Sequence, residues 1–189
     1  MPLNVPNVLT WLRILLIPLV VAVFYLPDSW WLHARMNQVA ALMFTLAALT
    51  DLLDGYLARL WQQTSDFGAF LDPVADKLIV AVALVLLVSK DARPLIVLTA
   101  AVIIGREITI SALREWMAEI GQRRKVAVSQ LGKLKTILQI VGLSMMLYRS
   151  PLLHLPIYAV GVALTELAAA ATLISMVAYL RAAWPELKR

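Results

Sequence analysis

Six apolar runs limit what this chain can become. They cover roughly Val8–Leu26, Asn37–Arg59, Pro73–Ser89, Leu95–Leu113, Leu131–Leu147 and Pro156–Leu180. A helix that crosses a bilayer needs about 20 mainly apolar residues, and its backbone polar groups must be satisfied within the segment. Each run therefore reads as a spanning helix, and the fold class as an all-α integral membrane protein with six transmembrane helices in one bundle. Only 15% of the residues are charged, against roughly 25% in soluble proteins. Pro, Asp, Gly, Ser and Arg punctuate the runs, and no long repeat or soluble appendage interrupts them, so residues 1–189 are expected to form a single domain. The chain has no cysteine, which excludes disulfides and thiolate metal sites. The opening "MPLNVPNVLTWLR" lacks a basic region and a small-residue cleavage site, so the first run is expected to be a retained helix.

An even number of spans puts both termini on one side. On that side fall Arg59, Arg114, Arg123, Arg124, Lys125, Lys133, Lys135, Arg181, Lys188 and Arg189. The other side receives only Arg35, Lys90, Arg93 and Arg149. The excess of basic residues in loops facing the cytoplasm predicts that both termini are cytoplasmic. Trp11, Trp61, Trp116 and Trp184 fall at inner helix ends and Trp30 and Trp31 on the outer side, as an aromatic belt requires.

The cytoplasmic segment Asp51–Lys77, "DLLDGYLARLWQQTSDFGAFLDPVADK", holds five of the twelve acidic residues. Asp51 and Asp54 are three apart and share a helical face near the end of the second run. Asp72 and Asp76 are four apart at the start of the third. About eleven residues join the two runs by this reading, so both acidic faces can point into one interfacial pocket. Oxygen donors without nearby Cys or His suit a hard cation such as Mg²⁺ or Mn²⁺ and do not suit Zn²⁺. Capping is the competing explanation. Asp72 before Pro73 reads as an N-cap, and Asp76 sits where a helix dipole favours an anion or where Lys77 or Arg59 can pair with it. Asp51 and Asp54, at a helix C-terminus, are not explained that way. Gly55 and Ala58 continue the acidic face and leave room for a ligand to approach, beside Arg59; read alone, Gly68 is a turn residue. Metals, arginine and small residues together describe a pyrophosphate site.

The spacing Asp51-x2-Asp54-Gly55-x2-Ala58-Arg59-x8-Gly68-x3-Asp72-x3-Asp76 resembles the signature of the CDP-alcohol phosphatidyltransferases at all eight positions. The similarity extends to "PNVLTWLRILLIP", "GREITISALREWMAE" and "GKLKT", and these resemble the branch of the family whose acceptor is glycerol 3-phosphate. The resemblance implies transfer of a phosphatidyl group from CDP-diacylglycerol to sn-glycerol 3-phosphate with release of CMP, a step of phospholipid biosynthesis in the bacterial inner membrane, with the active site at the cytoplasmic face. It implies two Mg²⁺ ions (or Mn²⁺) held by Asp51, Asp54, Asp72 and Asp76, with Asp76 also the general base. Asn7, Thr10, Gly55, Ala58, Arg59, Ser65 and Gly68 would line the CDP-diacylglycerol pocket, and helix capping is the competing explanation for Asn7 and Thr10. Arg106, Ser111, Arg114, Lys133 and Lys135 would bind the acceptor phosphate, with Glu107 pairing to Arg106 or Lys133. A homodimer in the membrane is expected, and no nucleic-acid partner.

Three features stand outside that assignment. Arg123, Arg124 and Lys125 read as a topology signal or anionic-lipid contact. Glu166 lies mid-span in the sixth run, where Thr165 or Arg13 is its expected partner. His33 and His154 read as ordinary loop residues. Two other functions compete: a cardiolipin synthase-like enzyme with a lipid acceptor, which would not need a basic phosphate site, and a divalent-cation transporter, which would place its acids near the bilayer midplane on broken helices.

Overall fold

The computed structural model describes residues 5–27, 35–61, 66–122, 130–151 and 154–188, and leaves the side chains of 5–9, 51–70, 72, 130–133 and 187 outside the description. The described residues form six helices: α1 Val5–Phe24, α2 Met36–Trp61, α3 Asp66–Lys90, α4 Pro94–Glu119, α5 Gln130–Tyr148 and α6 Ile157–Leu187. At about 1.5 Å per residue, even the 19 residues of α5 approach the ~30 Å of a hydrocarbon core. Among the described residues, Pro94–Glu119 and Ile157–Glu186 are long and apolar enough to cross a membrane. The described apolar parts of α1, α2 and α5 run Thr10–Phe24, Met36–Thr50 and Leu134–Tyr148.

The molecule is apolar on its outside. Ile174, Ile108, Leu98 and Leu42 are each at least 60% exposed. The interior holds small residues such as Ala40, Ala47, Ala83 and Ala168 together with buried Arg13, Arg106, Lys135 and Gln139. With apolar surroundings on both sides, helix association depends on close packing and interhelical hydrogen bonds. The most extensive contact, α5 with α6, shows how. A Cβ on Gly161 would lie 2.8 Å from the carbonyl oxygen of Gly142 and 2.9 Å from the amide nitrogen of Met146, so only glycine allows this approach. Thr165 Oγ1 donates to the Gly161 carbonyl at 2.8 Å beside the same contact. Between α2 and α5, Thr45 donates to Ser144 Oγ at 2.9 Å. Between α1 and α2, buried Arg13 donates from Nε to the Ala47 carbonyl at 3.3 Å.

Contacts between helix ends give the direction of each helix. Lys90, ending α3, lies 5.8 Å from the Phe24 ring, ending α1. Gln38 at the start of α2 donates to Ser150 just past α5 at 3.0 Å. Tyr158, in the first turn of α6, donates to Asp91 Oδ2 in the α3–α4 connection at 2.5 Å. The ends of α1, α3 and α5 and the starts of α2, α4 and α6 therefore share one end of the molecule, and the helices alternate. The opposite end receives the last turns of α2, α4 and α6 and the first turns of α3 and α5.

Two expectations about helix ends are corrected. The third helix starts at Asp66 and not at Pro73, because "DFGAFLD" is already helical and Pro73 sits inside the helix. Asp72 is therefore not an N-cap, Gly68 lies in the first turn of a helix and not in a loop, and four residues, not eleven, separate α2 from α3. The second helix runs on to Trp61, so Asp51 and Asp54 lie well before its last turn. The terminal dipole falls off within one turn, so it no longer tells against anions there.

Asp91 caps the closed end of this arrangement. Arg93 donates to it from Nε and Nη2 at 2.9 and 2.7 Å. These bonds, and then the Tyr158 hydroxyl, hold its carboxyl well below the ordinary carboxylate range, while Asp91 raises the guanidinium of Arg93. A carboxyl whose pKa is lowered by folding contributes stability that is complete above its unfolded value of about 3.9 and lost as pH falls below it. The melting temperature in detergent is expected to drop progressively as pH falls below about 4, and D91N should flatten that part of the profile. Equal slopes in both proteins would remove Asp91 as the cause. At the α5–α6 contact, G161A should cost about 1–3 kcal/mol by overpacking, read as a lower melting temperature in the same detergent; an unchanged melt would mean the two helices can part without cost.

Candidate active site

The acidic and the basic positions both lie toward the end of the bundle where α2 and α4 finish and α3 and α5 begin. Asp51, Asp54, Gly55, Ala58 and Arg59 lie on the C-terminal half of α2, and Gly68, Asp72 and Asp76 on the N-terminal half of α3. The two helices pack against each other. Helical spacing keeps Asp51 with Asp54 on one face and Asp72 with Asp76 on another. Asp76 is exposed. The side chains of Asp51, Asp54, Gly55, Ala58, Arg59, Gly68 and Asp72 lie outside the described residues, as do Ser65 and the side chains of Asn7 and Lys133. Thr10 is buried, and because α1 begins at Val5, Asn7 and Thr10 are inside the helix and not at its cap.

The basic half is built on three helices. Arg106 of α4 is buried, and its Nη1 donates to Glu107 Oε1 at 2.7 Å. Lys135 of α5 is equally buried and donates to the same oxygen at 3.1 Å. Glu107 was expected to pair with Arg106 or Lys133; it pairs with Arg106 and Lys135. Arg106 Nη2 reaches Ser175 Oγ of α6 at 3.1 Å, and Ser175 passes its proton to the Thr172 carbonyl at 2.8 Å. Two turns on, Arg114 Nη2 donates to the Tyr179 hydroxyl at 2.8 Å. The Tyr179 ring lies 5.0 Å from the Arg114 guanidinium and 5.9 Å from that of Arg106. A cation near an aromatic face is stabilised by the ring quadrupole, so Tyr179 holds both arginines toward one region. Ser111 lies on α4 between them, its hydroxyl bonded to the Glu107 carbonyl at 2.6 Å.

Ser175 and Tyr179 were not assigned from the sequence. Their signal is a polar pair four residues apart in an otherwise apolar helix, and the end of α6 that carries them faces the arginines of α4. α4 continues to Glu119, so Ser111 and Arg114 lie inside the helix and not at its end. Glu166 finds neither expected partner: its Oε1 is buried without a hydrogen bond among the described residues, Thr165 is committed to Gly161, and Arg13 Nε to Ala47.

A groove of about 290 Å³ reaches this cluster. It runs between α3 and α4, with Pro73 and Lys77 on one wall and Ile103, Ile104 and Glu107 on the other. Glu107 is the member of the Arg106–Glu107–Lys135 cluster that lines it. Apart from Lys77 and Glu107 its lining is aliphatic, as suits a lipid substrate with a charged head.

Comparison with known proteins leads to the same chemistry. Residues 3–181 match the family model described as CDP-alcohol phosphatidyltransferase. The CDP-diacylglycerol–glycerol-3-phosphate 3-phosphatidyltransferase of Salmonella choleraesuis (strain SC-B67) is 50% identical over 183 residues, 97% of this chain and 96% of that protein. The protein of that name from Shigella flexneri serotype 5b (strain 8401) is 51% identical over 187 residues, and that from Escherichia coli (strain K12) is 50% identical over 187, each alignment covering 99% of this chain and 98% of the relative. With the signature helices α2 and α3 packed side by side and a nearly full-length match, the chain belongs to the CDP-alcohol phosphatidyltransferase family.

Proposed function

We propose that this membrane enzyme transfers the phosphatidyl group of CDP-diacylglycerol to sn-glycerol 3-phosphate, forming phosphatidylglycerophosphate and CMP. The observation that supports the reading is the buried basic cluster that α4, α5 and α6 build around Arg106, Arg114 and Lys135, in a bundle whose packed helices α2 and α3 carry the signature carboxylates. The single domain crosses the bacterial inner membrane six times, both termini and the acidic end of the bundle lie in the cytoplasm, and the enzyme works as a homodimer. The positive charge in the cytoplasmic loops and the alternation of the helices support that topology.

Four carboxylates at helical spacings on two packed helices, with no cysteine in the chain, are a donor set that fits hard divalent cations. Asp51, Asp54, Asp72 and Asp76 would hold two Mg²⁺ ions, with Mn²⁺ an acceptable substitute. Bound there, the ions supply charge neutralisation on the pyrophosphate and a lower pKa for the attacking hydroxyl. Arg59 binds the pyrophosphate, and Gly55, Ala58 and Gly68 give it room, with Asn7, Thr10 and Ser65 around the cytidine end. Arg106, Arg114, Lys133 and Lys135 take the acceptor phosphate and Ser111 stands beside them. The acceptor hydroxyl then attacks the phosphorus that carries the diacylglycerol, its proton passes to Asp76, and the bond to CMP breaks. The exposure of Asp76 supports that role, because an exposed carboxyl can return the proton to water.

CMP release by the purified protein in detergent, with CDP-diacylglycerol and Mg²⁺, should depend on glycerol 3-phosphate. Release with phosphatidylglycerol in its place would move the protein to a lipid acceptor. D51N should lower turnover by more than about a hundredfold, beyond the usual loss from a group that only supports a metal ligand; near-normal Mg²⁺-dependent activity would refute the carboxylate site. K135A removes a buried charged donor, typically worth about 1.5–3 kcal/mol. It should raise the KM for glycerol 3-phosphate about tenfold or more with a smaller effect on that for CDP-diacylglycerol, and equal effects on both would count against an acceptor role.

A further inference from the structure

Glu107 stands in the place an incoming anion would take. One oxygen, Oε1, accepts from Arg106 on its own helix and from Lys135 on α5, at 2.7 and 3.1 Å. The two cationic side chains are each 6% exposed and the carboxylate 29%, so the anion is the accessible member of the trio. An oxygen shared between a guanidinium and an ammonium is also how a phosphate oxygen would bind. Three cations, Arg106, Arg114 and Lys135, converge here against one described carboxylate, leaving an excess of positive charge. Nε of Arg106 and Nε of Arg114 are buried without a hydrogen-bond partner among the described residues. Buried N–H groups left without an acceptor are costly, and a phosphate brings more acceptor oxygens, and more charge, than the single oxygen now in use.

We infer that Glu107 is the resident counter-anion of the acceptor site. It holds Arg106 and Lys135 side by side when no acceptor is bound, and the acceptor's phosphate displaces it. The inference rests on the acceptor-site reading above. Two like charges buried together are held there by an opposite charge, so some anion must occupy the site throughout the cycle, and a carboxylate tethered one residue from Arg106 is always present. Its exit is available, because Glu107 also lines the α3–α4 groove, whose opposite wall carries Lys77. A tethered anion competes with the free one, so it lowers the affinity for the acceptor while keeping both cations charged and positioned. Glu107 is therefore a positioning residue and not a catalytic one.

E107Q keeps the shape and removes the competitor. The KM for glycerol 3-phosphate should fall about fivefold, as expected for an ion pair of about 1 kcal/mol, with the KM for CDP-diacylglycerol unchanged. Inorganic phosphate should become a tighter competitive inhibitor against glycerol 3-phosphate by a similar factor, and calorimetric titration should show tighter phosphate binding to E107Q than to the wild type. A glutamate that only neutralises buried charge for folding predicts a lower melting temperature with both constants unchanged or raised, and that result would overturn the inference. The phosphate titration needs no turnover. If the wild type releases no CMP with glycerol 3-phosphate, the proposed function fails, while the titration still decides whether Glu107 competes with an anion. Should E107Q not fold, E107D retracts the carboxylate by one carbon, and its KM for glycerol 3-phosphate should drop below wild type; a value at or above wild type overturns the inference equally.

Discussion

Charge placed inside an apolar-surfaced bundle has no water to fall back on, and the architecture follows from that constraint. With Ile108, Leu98 and Ile174 turned outward, the interior has to satisfy its own polar groups. Hydroxyls do so within their helices: Thr45, Ser144, Thr109 and Ser111 each bond the carbonyl four residues back. Charged groups cannot, because one helix does not offer enough partners. Arg13 crosses to α2, Arg106 to α6, and Lys135 to α4. Each buried cation thereby becomes a tie between helices, and the positions of the ties determine which helices stay together.

The two ends of the bundle use this rule differently. At one end, short connections and exposed charges close on themselves: Lys90 on Phe24, Gln38 on Ser150, Asp91 between Arg93 and Tyr158. Near Asp91 and Arg93 the charges cancel in pairs, and the result is a mechanical fastening. At the other end the signature aspartates lie on α2 and α3, while the buried cations Arg106 and Lys135 lie on α4 and α5. Segregated charge is unstable by itself and favours ligands of the opposite sign. An end built that way is suited to binding cations on one side and anions on the other, and an end with cancelled pairs is not.

Hydropathy made the helix centres legible, because each apolar run is long enough to have one interpretation. The start of α3 was not legible. "QQTSDF" carries turn residues, and Asp72-Pro73 has the composition of a helix start, yet the helix begins two turns earlier and Pro73 lies inside it. The partner of Glu107 shows a second limit. Arg106 was an expected partner and is one; Lys135 is a second, brought to the same oxygen by the register of α5 against α4. No periodicity in a single chain contains that register. Ser175 and Tyr179 were missed for a related reason: a hydroxyl in an apolar helix declares a role only once the arginine it faces is known. The signature itself was readable because its spacing, three and then four, is the spacing of a helix face.

The segregation also bears on why a phosphorylated acceptor would approach the reacting phosphorus from a defined side. On the proposed reading, the pyrophosphate is held over the carboxylate helices α2 and α3, where divalent ions offset the aspartates. The phosphate of glycerol 3-phosphate gains nothing there, since those positive charges are already engaged. Its complement is the cluster of Arg106, Arg114 and Lys135, which Glu107 connects to the groove wall opposite Pro73 and Lys77. Held at that distance by its phosphate, a three-carbon acceptor spans the gap with its opposite hydroxyl, and the reactive end is the one left facing the acidic helices. Orientation then follows from electrostatics on two walls, with Glu107 keeping the basic wall assembled until the acceptor arrives.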